Sequence, residues 1–133
     1  MGRTRTRTAA GIVLDAGALI ALDRGDKRMI ALLHRALAQG RTFRVPAGVV
    51  GQVWRDGSRQ VTLARFLRGE EVEIVPLYEH LARACGELCG AAKVRDVIDA
   101  SVVIVARERR DPIVTSDPSD LRRLDPGAQI IAI

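Results

Sequence analysis

Residues 11–22, GIVLDAGALIAL, decide the fold. The first five are a short apolar run that ends in an acid, Asp15. The remainder carries apolar residues at 18, 19, 20 and 22. A buried strand that turns directly into a helix satisfies both patterns, with Asp15 at the turn.

Working outward, the same alternation recurs. Residues 26–39 place Met29, Ile30, Leu32, Leu33 and Leu37 near a 3.6-residue period before Gly40, a helix stop signal. Residues 42–45 read as a second strand, and Pro46 opens a short helix through AGVVGQVWRDG, with Gly57 just past its end. Val61, Leu63, Ala64, Phe66 and Leu67 mark a further helix within residues 59–68, and EVEIVPL alternates into a third strand. Residues 77–90 are helical, with Leu81, Ala84, Cys85 and Leu88 inward, and residues 97–109 carry Ile98, Val102, Val103, Val105 and Ala106. IVTSD is another strand ending in an acid, DPSDLRRL a helix opened by Asp117 and Pro118, and QIIAI a last strand. With no internal repeat and no linker, residues 11–133 are expected to form one α/β domain, a mostly parallel central sheet with helices on both faces.

The chain has 133 residues, enough for one core that buries roughly two-thirds of the unfolded surface. Its 47% hydrophobic and 28% charged residues exclude a disordered or low-complexity protein. Aromatic residues make up only 3%, which argues against recognition of single strands by rows of stacked bases. The net charge of +5 owes three charges to Arg3, Arg5 and Arg7, in a basic tail over residues 1–10 that is expected to be disordered. No run approaches a membrane span and the N-terminus has no signal-peptide character, so a soluble cytoplasmic protein is expected. Cys85 and Cys89, four residues apart, share one helical face. With His34 and His80 lacking paired metal-ligand spacing, buried apolar cysteines are the better reading than zinc ligands.

In open parallel sheets, ligands bind beyond the carboxyl ends of the strands. Asp15 and Asp117 both stand at such ends. Asp96 and Asp99 open an apolar helix at i, i+3 spacing, on one face and near the positive end of the helix dipole. Taken singly, these aspartates fit helix caps or turns. Gathered at one edge they would repel by roughly 4 kcal/mol per pair at about 4 Å and an effective dielectric near 20. A hard divalent cation, Mg²⁺ or Mn²⁺, relieves that repulsion through oxygen ligands and serves phosphodiester cleavage.

IVLDAGALIAL, DASVVIVA and IVTSDPSDL, in that order, resemble the PIN-domain proteins, specifically the VapC-like ribonuclease toxins of bacterial toxin–antitoxin pairs. The resemblance covers almost all of the chain after the tail. It implies a PIN-like three-layer fold, an Mg²⁺- or Mn²⁺-dependent endoribonuclease acting on RNA, a homodimer and a small inhibitory antitoxin. The family's first, helix-opening and last acids match Asp15, Asp99 and Asp117, with Asp96 as an additional metal ligand. The family's remaining acid is a glutamate where this chain has Gln52, and Gly17 stands where the family often has a hydroxyl residue. Gln52 and Asp120 are candidate cleft residues, and Asp56 is an alternative to the missing glutamate.

Arg55 and Arg59 are candidate RNA contacts, with Arg65 and Arg68 able to attract phosphates or simply to solvate helix surfaces. Trp54 fits the core or an interface better than base stacking. Two rival functions remain from the sequence. One is a catalytically weakened PIN-fold module that holds RNA or protein. The other, a phosphoacceptor-like domain, lacks a lysine near the end of its last strand.

Overall fold

The computed structural model describes residues 11–133; the basic tail expected over residues 1–10 lies outside them. Within them, β1 (Ile12–Leu14), β2 (Phe43–Pro46), β3 (Val72–Val75), β4 (Ile113–Thr115) and β5 (Ile130–Ala132) pair in the order β3-β2-β1-β4-β5. Every pairing is parallel. The carboxyl ends of all five strands therefore share one edge. β1 and β4 are adjacent, with Val13 opposite Ile113 and Leu14 opposite Val114, so the residues that follow them emerge side by side.

The helices are α1 (Ala16–Asp23), α2 (Lys27–Ala38), α3 (Ala47–Val53), α4 (Val61–Leu67), α5 (Glu79–Ala92), α6 (Val97–Arg109) and α7 (Pro118–Leu124). α1 packs against α2, α3 and α4, while α5, α6 and α7 pack against one another. The two groups form the outer layers around the sheet. β1, β2 and β4 are buried along their whole length, as expected of strands covered on both faces, while β3 and β5 at the sheet edges are partly exposed. α6 fills the center of its layer, burying Ala100, Val102, Val103, Val105 and Ala106. Phe43 and Phe66 meet edge to face at 5.5 Å and seat α4 against β2.

Two local expectations change. α3 ends at Val53, so Gly57 is not its stop signal. Gln60 folds the connection to α4 instead. Its Oε1 accepts the N–H groups of Arg55 and Asp56 at 2.8 and 3.0 Å, and its Nε2 donates to the Val53 carbonyl at 2.8 Å. Arg44, read only as part of a strand, is buried within β2. Its guanidinium lies 3.4 Å from Glu73, 3.5 Å from the buried Asp111 and 3.9 Å from Glu108, and donates to the Val105 carbonyl. A buried cation needs that compensation.

Candidate functional site

The tight β1–α1 turn makes Asp15 the cap of α1, where its carboxylate accepts the Ala18 N–H at 2.9 Å. Asp15 is 7% exposed, and burial pushes its carboxyl above the ordinary range against the opposing pull of Thr115 and the Ala18 and Gly17 amides. Thr115, the last residue of β4, is fully buried. Its hydroxyl accepts the Asp117 N–H at 2.9 Å, and its side chain holds the Asp15 carboxyl down against the effect of burial. Ser119 donates to the Asp117 carboxylate at 2.9 Å, and that carboxylate makes no capping bond to α7.

α6 brings the other pair. Asp96 caps it by accepting the Asp99 N–H at 2.9 Å, and the Cys89 thiol donates to the Asp96 carbonyl at 3.6 Å, tying the end of α5 to that cap. Asp99, within the first turn, has its carboxyl pushed up to about 6, by burial first and then by the charges of Asp96, Asp15, Asp120 and Asp117. The Asp120 carboxyl is also raised, by a hydrogen bond to Asp117 and by that residue's charge.

Asp15, Asp96, Asp99, Asp117, Asp120 and Gln52 all line one cavity of about 220 Å³ at the carboxyl edge of the sheet. Its lining contains no lysine or arginine. Gln52 reaches it because α3 lies close on α6: a Cβ at Gly48 would run into the Ile98 side chain. Asp15 and Asp96 thus do cap helices, as isolated aspartates often do, while also lining the cavity.

This donor set, five carboxylates and one amide oxygen, suits a hard divalent cation. As the side chains stand, no three His, Cys, Asp or Glu groups among the described residues converge closely enough to hold one ion. The fit therefore rests on donor chemistry and shared electrostatics: Asp99 feels the charge of all four other aspartates.

Other candidates fall outside the cavity lining. Arg55 donates to the Gly51 and Trp54 carbonyls at 3.1 and 2.7 Å, closing the end of α3, and Arg59 faces Asp56 at 3.8 Å. Neither lines the acidic cavity, because local backbone and carboxylate acceptors engage both. Asp56 is held by Ser58, whose N–H and hydroxyl donate to it at 3.0 and 2.7 Å, so it does not replace the family's glutamate. Trp54 is 39% exposed and lies over Gly57 rather than in the core. Cys85 and Cys89 are buried with raised thiols, as expected of apolar packing. Thr115 was legible only as a strand residue. Its signal was its place two residues before the acid that ends β4.

At Gly17, a Cβ would collide with the Ser116 hydroxyl. A hydroxyl from the end of β4 thus occupies the space that a side chain on α1 would fill. A separate cavity of about 160 Å³, lined by residues that include Arg107, Asp111, Ile113, Asp125 and Gln129, opens at the opposite edge, where β4 and β5 begin. It shares no residue with the acidic one.

No curated protein sequence matches the chain. Similar solved structures include VapBC2 from Rickettsia felis bound to a DNA fragment from their promoter, at TM-score 0.70 and 16% identity over 92% of this chain and 98% of that one. VapC20 from Mycobacterium tuberculosis, described as a sarcin–ricin loop cleaving toxin, gives 0.66 and 16% over 89% and 96%. FitAcB from Neisseria gonorrhoeae gives 0.64 and 17% over 90% and 96%. At these identities the likeness is one of fold. The profile of the PIN domain matches residues 12–126, from the start of β1 to just beyond α7, so the acids at the sheet edge lie in a chain that belongs to the PIN domain family.

Proposed function

We propose that this chain is a divalent-metal-dependent endoribonuclease and the toxin of a toxin–antitoxin pair. The observation that carries the reading is the cavity itself: five aspartates from β1, α6 and the β4–α7 region around a space with no basic lining residue. Asp15, Asp99 and Asp117, assisted by Asp96, would hold Mg²⁺ or Mn²⁺. Such a cation supplies charge neutralisation and a water of lowered pKa for attack on a phosphodiester. The chain's own contribution is placement. The Ala18 N–H orients Asp15, Thr115 sets the backbone of Asp117, and the α6 cap sets Asp99. Without a cation, a proton on Asp99 relieves part of the repulsion near pH 6.

RNA is the proposed substrate, supported by the shared fold with the sarcin–ricin loop cleaving toxin VapC20, and a small inhibitory antitoxin is the proposed partner, supported by the shared fold with FitAcB and VapBC2. A homodimer and a cytoplasmic place of action belong to the same proposal; no helix among the described residues is long and apolar enough to cross a membrane. The test is cleavage of structured RNA with Mg²⁺, with Mn²⁺ and with EDTA, alongside light scattering at micromolar concentration. Metal-stimulated cleavage by a dimer is the expected result. Absence of cleavage under every metal condition refutes the nuclease, and a monomer refutes the dimer.

A second reading, a PIN-fold binding module with weakened catalysis, is favoured by Gln52, which puts a neutral amide where the family has a glutamate. Retention of RNA with no metal-dependent cleavage supports it over the first.

A further inference from the structure

Beside the acidic cavity lies a groove of about 420 Å³ lined by Lys93, Val94, Arg95, Asp96, Asp99, Asp120 and Arg123. It shares Asp96, Asp99 and Asp120 with the cavity, so the two spaces are continuous along the α6 cap and the first turn of α7. The groove adds three cations and no further acid. Among the described residues, none of those cations forms an ion pair, whereas Arg44, Arg59, Arg83 and Arg107 all do.

Their placement comes from separate elements. Lys93 ends α5 in the left-handed region, φ 58° and ψ 44°, with its N–H donating toward the Cys89 carbonyl. Glycine is the usual occupant of such a terminus, and here a lysine side chain is set beside the groove. Arg95 immediately precedes the α6 cap Asp96, and Arg123 stands one turn after Asp120 on α7. The space on the other side of the acids, which shares Gly17 and Ser116 with the cavity, carries one cation, Arg24, beside Asp26, whereas this groove brings three cations and shares three of the acids.

We infer that Lys93, Arg95 and Arg123 grip the phosphates of a single RNA strand and lead it into the acidic cavity. This rests on the nuclease reading and assigns its substrate path. Anionic RNA cannot approach five carboxylates unaided. A basic rim supplies attraction next to the acids without entering the cavity, where a cation would compete with metal.

The experiment is fluorescence anisotropy of an end-labelled single-stranded oligoribonucleotide in EDTA, over a range of salt concentrations. It compares the unaltered chain, Lys93→Asn/Arg95→Gln/Arg123→Gln, and Arg55→Gln/Arg59→Gln. The triple variant is expected to bind at least tenfold more weakly and to lose about 2 from the slope of log K against log salt, at about 0.7 per phosphate contact. The double variant should stay within about twofold. Arg95→Gln and Arg123→Gln alone should each remove about a third of the slope change, which guards against a triple variant that misfolds. With saturating metal, the triple variant should raise KM more than it lowers kcat.

An unchanged slope in the triple variant, or an equal loss in the double variant, overturns the proposal. RNA bound through this rim but never cut would refute the nuclease reading and leave the rim standing. Cutting by a triple variant with unaltered affinity would do the reverse.

Discussion

The buried Thr115 hydroxyl accepts the Asp117 N–H at 2.9 Å, so the last side chain of β4 fixes the backbone of the acid that follows it. Thr115→Val keeps the shape and removes that bond. Losing one hydrogen bond to a part-buried amide costs about 1 kcal/mol. Metal-stimulated cleavage is expected to fall at least tenfold, with a lowered melting temperature. Full activity together with an unshifted melt would mean that the hydroxyl does not position Asp117.

Neutralising the acids one at a time, as Asp15→Asn, Asp99→Asn or Asp117→Asn, should remove most metal-stimulated RNA cleavage while the protein stays folded. Asparagine can still cap a helix, so Asp15→Asn retains the start of α1. The exposed Glu87 on α5, as Glu87→Gln, is the control and should change little. Equal activity across the acid variants and this control excludes the site.

The pH dependence of the metal-free protein follows from Asp99. Its folded-state value of about 6 lies above the ordinary 3.8, so the folded chain keeps this proton after the unfolded chain has lost it. Stability is therefore expected to fall as pH rises from about 4 to 6, with the full penalty present above that window. The loss is on the order of 1 to 2 kcal/mol once solvent screening of a half-buried group is allowed for. Asp99→Asn should flatten the profile. Thermal melts between pH 3.5 and 7.5 in EDTA measure it, and a parallel profile in the variant would contradict the assignment.

Gln52→Glu adds a sixth carboxylate to the cavity. Without metal, the melting temperature should drop through added repulsion. With Mg²⁺, affinity and cleavage at limiting metal should rise, so the two melts move in opposite directions. Calorimetric titration and paired melts provide the measurement. Shifts below about 0.5 kcal/mol in both would place Gln52 among ordinary surface residues.

Much of this architecture was legible because period and length are local. Apolar runs of three to five residues ending in Asp15 and Asp117 could only be covered strands, and residues 97–109 form the expected helix to the residue. Asp15 and Asp117 were placed together by parallel strands sharing one edge and Asp96 and Asp99 by their shared helix start, while Gln52 was placed by the family resemblance; all of them, with Asp120, line one cavity. Long-range or conditional features stayed hidden. Arg44 looks like a surface cation until Glu73, Asp111 and Glu108 are folded around it. The local partners of Arg55 and Arg59, nearby carbonyls and Asp56, and their place outside the acidic lining were not legible, because both depend on how the α3–α4 connection folds. Gln60 was invisible as a turn organiser because side-chain amides bonding to backbone leave no periodic trace.

The close approach of Gly17 to Ser116 couples the two positions sterically. A side chain at 17 is admitted only when the hydroxyl at 116 turns away or is removed, so substitutions at 17 and 116 are expected to be non-additive, each changing what the other position tolerates.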